Sequence, residues 1–216
     1  MEKNPFKWPI AVLAGILICC TDIFFNIPAA LLWPEGGFSP LKHFHSELGA
    51  TKPHPIRGTR NSELGAQFYN CGQVFQGLAI ILFAGGLYIF YMEDKWKDIF
   101  LKLGQISGFL LGFATILNGI FSADFQPQHG QISEILFLGI ILSEFFINGA
   151  LIKNPKFWKP IGYLGFIAGC INLFFLFTYE IFYPFFLMEY IAVYTAETWL
   201  ALITINIFYN EVWSKE

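Results

Sequence analysis

Few side chains in this chain can do chemistry, and they fall into two groups. The first is imidazole. His43, His45 and His54 lie in one connection between long apolar runs, and His129 lies in a later one. Imidazole with carboxylate is the usual ligand set for zinc, and a three-ligand site with an open position activates water. His43, His45 and His129 are therefore the candidate metal ligands, with Zn as the ion; the alternative is that they are ordinary exposed loop histidines. His129 has a second possible use, because Asp124 and His129 bracket a turn at the end of an apolar run. There an imidazole can act as general base steered by Asp124, with Glu63 as a further candidate for proton transfer. The chain contains neither a nucleophile elbow nor a paired-histidine zinc helix.

The second group lies inside the apolar runs. Counting about 1.5 Å per residue from the run ends puts Asp22, Glu144 and Glu197 roughly 16 to 18 Å deep, with Asn172 at a similar depth. Ionisable groups at that depth are costly and face the interior of a bundle. No Lys, Arg or His lies deep in any run to pair with them. They serve either as glue, hydrogen-bonded to Asn26, Asn148 or Asn172, as a path for protons or cations, or as a polar pocket for a headgroup. Single amide replacements separate these uses. Glue predicts lost expression or stability, whereas coupling predicts a folded protein with altered pH-dependent flux.

Such residues need a scaffold, and the composition identifies its solvent. Of 216 residues 55% are hydrophobic and 13% charged, where a soluble domain carries about 25% charged residues. Phe occurs 26 times, and the mean hydropathy is +0.53. Six runs, at 8–33, 68–91, 99–121, 132–152, 160–183 and 185–209, are each long enough to cross a hydrocarbon core about 30 Å thick. The expectation is an all-α membrane protein: one six-transmembrane-helix bundle over residues 1–216 with a long first outer loop at 34–67. The first run continues past Asp22 to Trp33, too long for the apolar part of a secretory signal.

Lys3, Lys7, Lys95, Lys97, Lys102, Lys153, Lys156, Lys159 and Lys215 fall on the side of the termini, and only Lys42, Lys52, Arg57 and Arg60 on the other. Cationic loops stay in the cytoplasm, so the expected setting is the plasma membrane with both termini cytoplasmic and all four histidines outside. A net charge of -3 without a basic cluster excludes nucleic acid as a partner and leaves membrane lipid. Gly104, Gly108 and Gly112 in the third run, and Gly162, Gly165 and Gly169 in the fifth, mark helix-contact stripes. These serve packing within the chain or, as the alternative, a homo-oligomer. Cys19, Cys20, Cys71 and Cys170 read as buried apolar cysteines.

The loop repeats itself, with Ser46-Glu47-Leu48-Gly49-Ala50 recurring as Ser62-Glu63-Leu64-Gly65-Ala66. The second copy enters the second run, whose polar face continues with Asn70 and Gln73. The stretch Asn61-Ser62-Glu63-Leu64-Gly65, followed by Phe68-Tyr69-Asn70, resembles the Ser-Asp/Glu-Leu-Gly signature of the domain-of-unknown-function 998 membrane family. Gly119-Ile120-Phe121, then Asp124 and His129-Gly130, is similar to that family's second signature, although Ser122-Ala123 occupies the place of an expected Pro. The resemblance implies a six-span fold and a site of Ser62, Glu63, Asn70, Asp124 and His129, but no reaction. The functional expectation is an outward-facing site at the bundle mouth that binds or processes a lipid or other amphiphile. The alternatives are a small proton- or cation-coupled transporter using Asp22, Glu144 and Glu197, and a structural or regulatory protein without chemistry.

Overall fold

The computed structural model describes residues 4–34, 36–55, 58–179, 181 and 185–214. Among these, six helices are long and apolar enough to cross a membrane: α1 (Ile10–Leu31), α2 (Glu63–Phe90), α3 (Lys95–Ile120), α4 (Gln128–Leu151), α5 (Lys159–Thr178) and α6 (Phe186–Trp213). No strand occurs among the described residues. Each helix packs on its neighbour in the chain, and α1 packs on α6, so the six close into a ring.

Several helices begin earlier than hydropathy alone predicts, because caps rather than apolar residues set their starts. Ser62 accepts a hydrogen bond at Oγ from the Gly65 N–H at 3.0 Å, and Glu63 follows in the first turn. Both features stabilise a helix N-terminus, so α2 starts five residues before the apolar run at 68. Asp94 does the same for α3, accepting from the N–H groups of Trp96 and Lys97. At the other extreme, α5 ends at Thr178, and the expected corner at Tyr183-Pro184 lies outside the described residues. In α1 the turn Asp22–Asn26 is widened, with the Ile27 N–H bonded to the Asp22 carbonyl. The widening accommodates Pro28, which has no N–H and whose ring crowds the carbonyl four residues back.

The glycine stripes are used within the chain. A Cβ on Gly104 would lie 2.5 Å from Ile147, one on Gly108 2.8 Å from Ala84, and one on Gly112 2.6 Å from Ile81. Thus α3 lies close against both α2 and α4. Gly165 lets α5 approach Asn148 and Trp199, which occupy the space a side chain would need. Outward faces carry Leu17, Phe24, Phe113, Phe177 and Ile205, all exposed, as lipid-facing surface requires. The cysteines differ from expectation: Cys19, Cys71 and Cys170 are exposed and Cys20 partly so. A small apolar thiol gains nothing from the interior when the solvent is itself hydrocarbon.

Candidate functional site

The long loop is folded onto one end of the ring and fastened by polar contacts from distant parts of the chain. Its two similar pentapeptides take different structures and clasp each other. The first forms the 3₁₀ turn His45–Gly49, and the second caps and opens α2. Asn61 joins them, with its N–H donating to the Ala50 carbonyl at 2.8 Å and its Nδ2 to the Leu48 carbonyl at 2.7 Å. Asn61 Nδ2 also reaches the Ala29 carbonyl at the end of α1, and Asn70 Nδ2 donates to the Gly49 carbonyl. On the far side, Asp124 accepts from the Thr51 N–H and hydroxyl and from the Lys52 N–H, at 2.6 to 3.0 Å. The His45 N–H donates to Glu189 of α6 at 2.7 Å, and the Ser46 N–H donates to the same carboxylate.

Two spaces lie at this end. The larger, about 1220 Å³, is a cleft whose lining combines Glu47, Lys52, Asp124, His129 and Glu134 with Phe137, Leu138, Phe175, Leu176 and Phe177. Lys52 Nζ lies 5.3 Å from the centre of the Phe125 ring. The smaller is a chamber of about 90 Å³ beneath the His45–Gly49 turn. Its polar lining includes His45, Tyr69, Gln73, Gln76, Glu189 and Glu197, and its apolar lining Ile80, Phe83, Leu111 and Ile140. The two adjoin, since Ser46, Ser133, Phe137 and Glu189 border both.

Of the residues expected to form the site, Asp124 and His129 line the cleft and Ser62, Glu63 and Asn70 are not in its wall. Ser62 is engaged as a cap, Glu63 is exposed on the first turn of α2, and Asn70 holds the loop. His129 is buried, and its Nδ1–H donates to the Phe121 carbonyl at 2.9 Å. That bond fixes the tautomer and turns Nε2 into the acceptor. His43 accepts at Nδ1 from the Ser39 N–H and stacks against Phe38 and Trp33. Among the described residues no three His, Cys, Asp or Glu side chains gather to hold a metal ion.

The acids inside the helices divide into two layers. Glu144 and Asn172 are both fully buried. Asn172 Nδ2 faces both carboxyl oxygens, at 3.3 and 3.4 Å, and also the Ala192 carbonyl of α6. Asn148 lies one turn on, bonded through Nδ2 to the Glu144 carbonyl and accepting from Trp199 Nε1 at 3.1 Å. Glu197, in contrast, borders the chamber. It accepts from Gln76 Nε2 at 2.7 Å and shares a hydrogen bond with the carboxyl group of Asp22, which in turn accepts from Asn26 at 2.6 Å.

His45 sits above this pair. It is 6% exposed, with the Tyr69 hydroxyl 3.1 Å from Nδ1 and the rings of Tyr69, Tyr190 and Tyr194 around it. Burial, opposed only weakly by the charge of Asp22, pushes its pKa down to about 4. The imidazole is therefore neutral near pH 7. Tyr69, Gln76 and Glu189 escape a reading of the sequence. Tyr69, Gln73 and Gln76 are spaced four and three residues apart, the signal for one helix face, but Glu189 lies too near a run end to stand out.

No curated protein and no solved structure matches the chain. A family model does match, over residues 18–206. The match takes in four of the six helices whole, most of α1 and α6, and both fastened ends of the loop. The chain belongs to the family of membrane proteins of unknown function designated DUF998.

Proposed function

We propose that the cleft at the loop-bearing end of the bundle is an outward-facing binding site for an amphiphile, membrane lipid included. The observation that carries this reading is the mixed chemistry of its lining. Carboxylates, Lys52 and His129 border the same space as Phe137, Leu138, Phe175, Leu176 and Phe177. A headgroup finds hydrogen-bonding partners of both charge signs, and a chain finds apolar surface. That surface is open to lipid, since Phe177 is 71% and Leu138 44% exposed. The size agrees, being somewhat above the roughly 300 to 1,000 Å³ of ordinary small-molecule pockets. Binding is favoured over processing, because Asp124 spends both oxygens on Thr51 and Lys52 and so serves the loop rather than His129. The lysine distribution supports placing the termini in the cytoplasm and the cleft outside the plasma membrane.

The test is bound content. Protein extracted in mild detergent is analysed for co-purified lipid by mass spectrometry and for metal by elemental analysis. A stoichiometric amphiphile, lost on Ser133→Trp with folding intact, is the expected result; stoichiometric zinc without lipid contradicts it. A second reading, a proton- or cation-coupled transporter, is favoured by one observation, the Asp22–Glu197 pair beside the chamber. Altered pH-dependent flux in a folded Glu197→Gln protein supports that reading.

A further inference from the structure

We infer that the chamber beneath the His45–Gly49 turn is a binding site for a primary ammonium group. Its wall carries two carboxyl groups, Glu189 and Glu197, and no Lys or Arg. Asp22 stands behind Glu197 and adds a third. An acidic cluster alone does not identify a ligand, but His45 adds an independent sign. Its Nε2 is buried, has no hydrogen-bond partner among the described residues, and belongs to a side chain that lines the chamber. A buried ring nitrogen without a partner is costly, so a ligand that satisfies it is favoured.

The donor and acceptor pattern selects the class. The Tyr69 hydroxyl can accept from Nδ1–H, which leaves Nε2 of the neutral ring as an acceptor, and a bound N–H donor selects this tautomer. The site then offers an imidazole nitrogen and carboxyl oxygens, together with the face of Tyr69. An ammonium group has three N–H donors, a positive charge and an affinity for aromatic faces, and meets all of these. An alkali cation prefers an all-oxygen cage, and a hydroxyl brings one donor and no charge. A volume of about 90 Å³ admits a group the size of several waters. The chamber adjoins the cleft at Ser46, Ser133 and Glu189. The amine is thus either free in solution or the head of an amphiphile whose chain lies in the cleft; only that second source rests on the proposed function.

The test is a thermal-shift and calorimetric titration of the whole protein in detergent with butylammonium chloride, sodium chloride, 1-butanol and dodecylammonium chloride. Butylammonium is expected to bind and raise the melting temperature, with sodium and butanol silent at the same concentrations. Glu197→Gln, which keeps the size and the partner Gln76, should weaken butylammonium by about tenfold or more, as loss of a charge-assisted hydrogen bond does. His45→Phe should weaken it as well, and it decides the matter if the first variant does not fold. Tighter binding of dodecylammonium identifies an amphiphile head as the source; equal binding identifies a free amine. Equal binding of butanol or sodium, or butylammonium affinity unchanged in a folded variant, overturns the inference. Retained lipid with no butylammonium effect overturns it while leaving the cleft reading intact. Butylammonium binding with no retained lipid does the reverse.

Discussion

Glu144 and Glu197 look alike as sequence, single acids in apolar helices at similar depth, yet the bundle treats them oppositely. Glu144 is sealed. Its carboxyl group meets Asn172, the neighbouring Asn148 is held by Trp199, and none of this first pair is exposed. That layer ties α4, α5 and α6 together. Glu197 is hydrogen-bonded to Asp22, takes one amide donor from Gln76, and borders a chamber that adjoins the cleft. Depth gives the cost of a buried acid, whereas access to a space decides whether it is glue or a site.

Breaking the sealed layer should have the largest effect. Gly165→Leu drives a side chain into Asn148 and Trp199. The cost should exceed about 4 kcal/mol, and size-exclusion chromatography is expected to show no monodisperse protein. Next comes acid. Buried His45 is held neutral with a pKa of about 4, while in the unfolded chain it takes up a proton near pH 6.5. Between those values the unfolded state binds more protons through this group, so the His45 contribution to stability falls as pH drops through the window, by about 3 kcal/mol in total. Thermal unfolding of the protein and of His45→Phe at pH 7 and pH 5 isolates it: the melting temperature of the protein relative to the variant should fall between the two values.

Smaller effects sharpen the contrast between the two layers. Asn172→Leu strips Glu144 of its side-chain donor in a dry site and should cost about 2 kcal/mol. Gln76→Leu removes the equivalent donor from Glu197, but water in the chamber can replace it, so the cost should stay below about 1 kcal/mol. Denaturation midpoints of the two variants compare them directly.

The sequence shows the helices but not the site, for physical reasons. Apolar length alone reveals six spans, because hydrocarbon leaves the backbone no other way to satisfy its polar groups. Helix starts at Glu63 and Lys95 are missed by hydropathy, since Ser62 and Asp94 set them through hydrogen bonds to N–H groups. Asp124 and His129 are recognisable at a turn. That Asp124 would fasten Thr51, 73 residues earlier, is not, because loop closure over that distance leaves no local pattern. His45 reads as one more loop histidine. Its burial under three tyrosine rings follows from where α2 and α6 bring Tyr69, Tyr190 and Tyr194, which only ring closure decides. The identity of the chamber acid is hidden for the same reason.

The most direct test of amphiphile binding in the cleft is photo-crosslinking with a long-chain probe carrying a diazirine, in native membranes, followed by peptide mass spectrometry. Adducts should concentrate on Phe137, Leu138, Leu176 and Phe177 and disappear in Ser133→Trp. Labelling confined to the lipid-facing residues Leu17, Phe24 and Ile205, unchanged in that variant, would contradict the existence of the site.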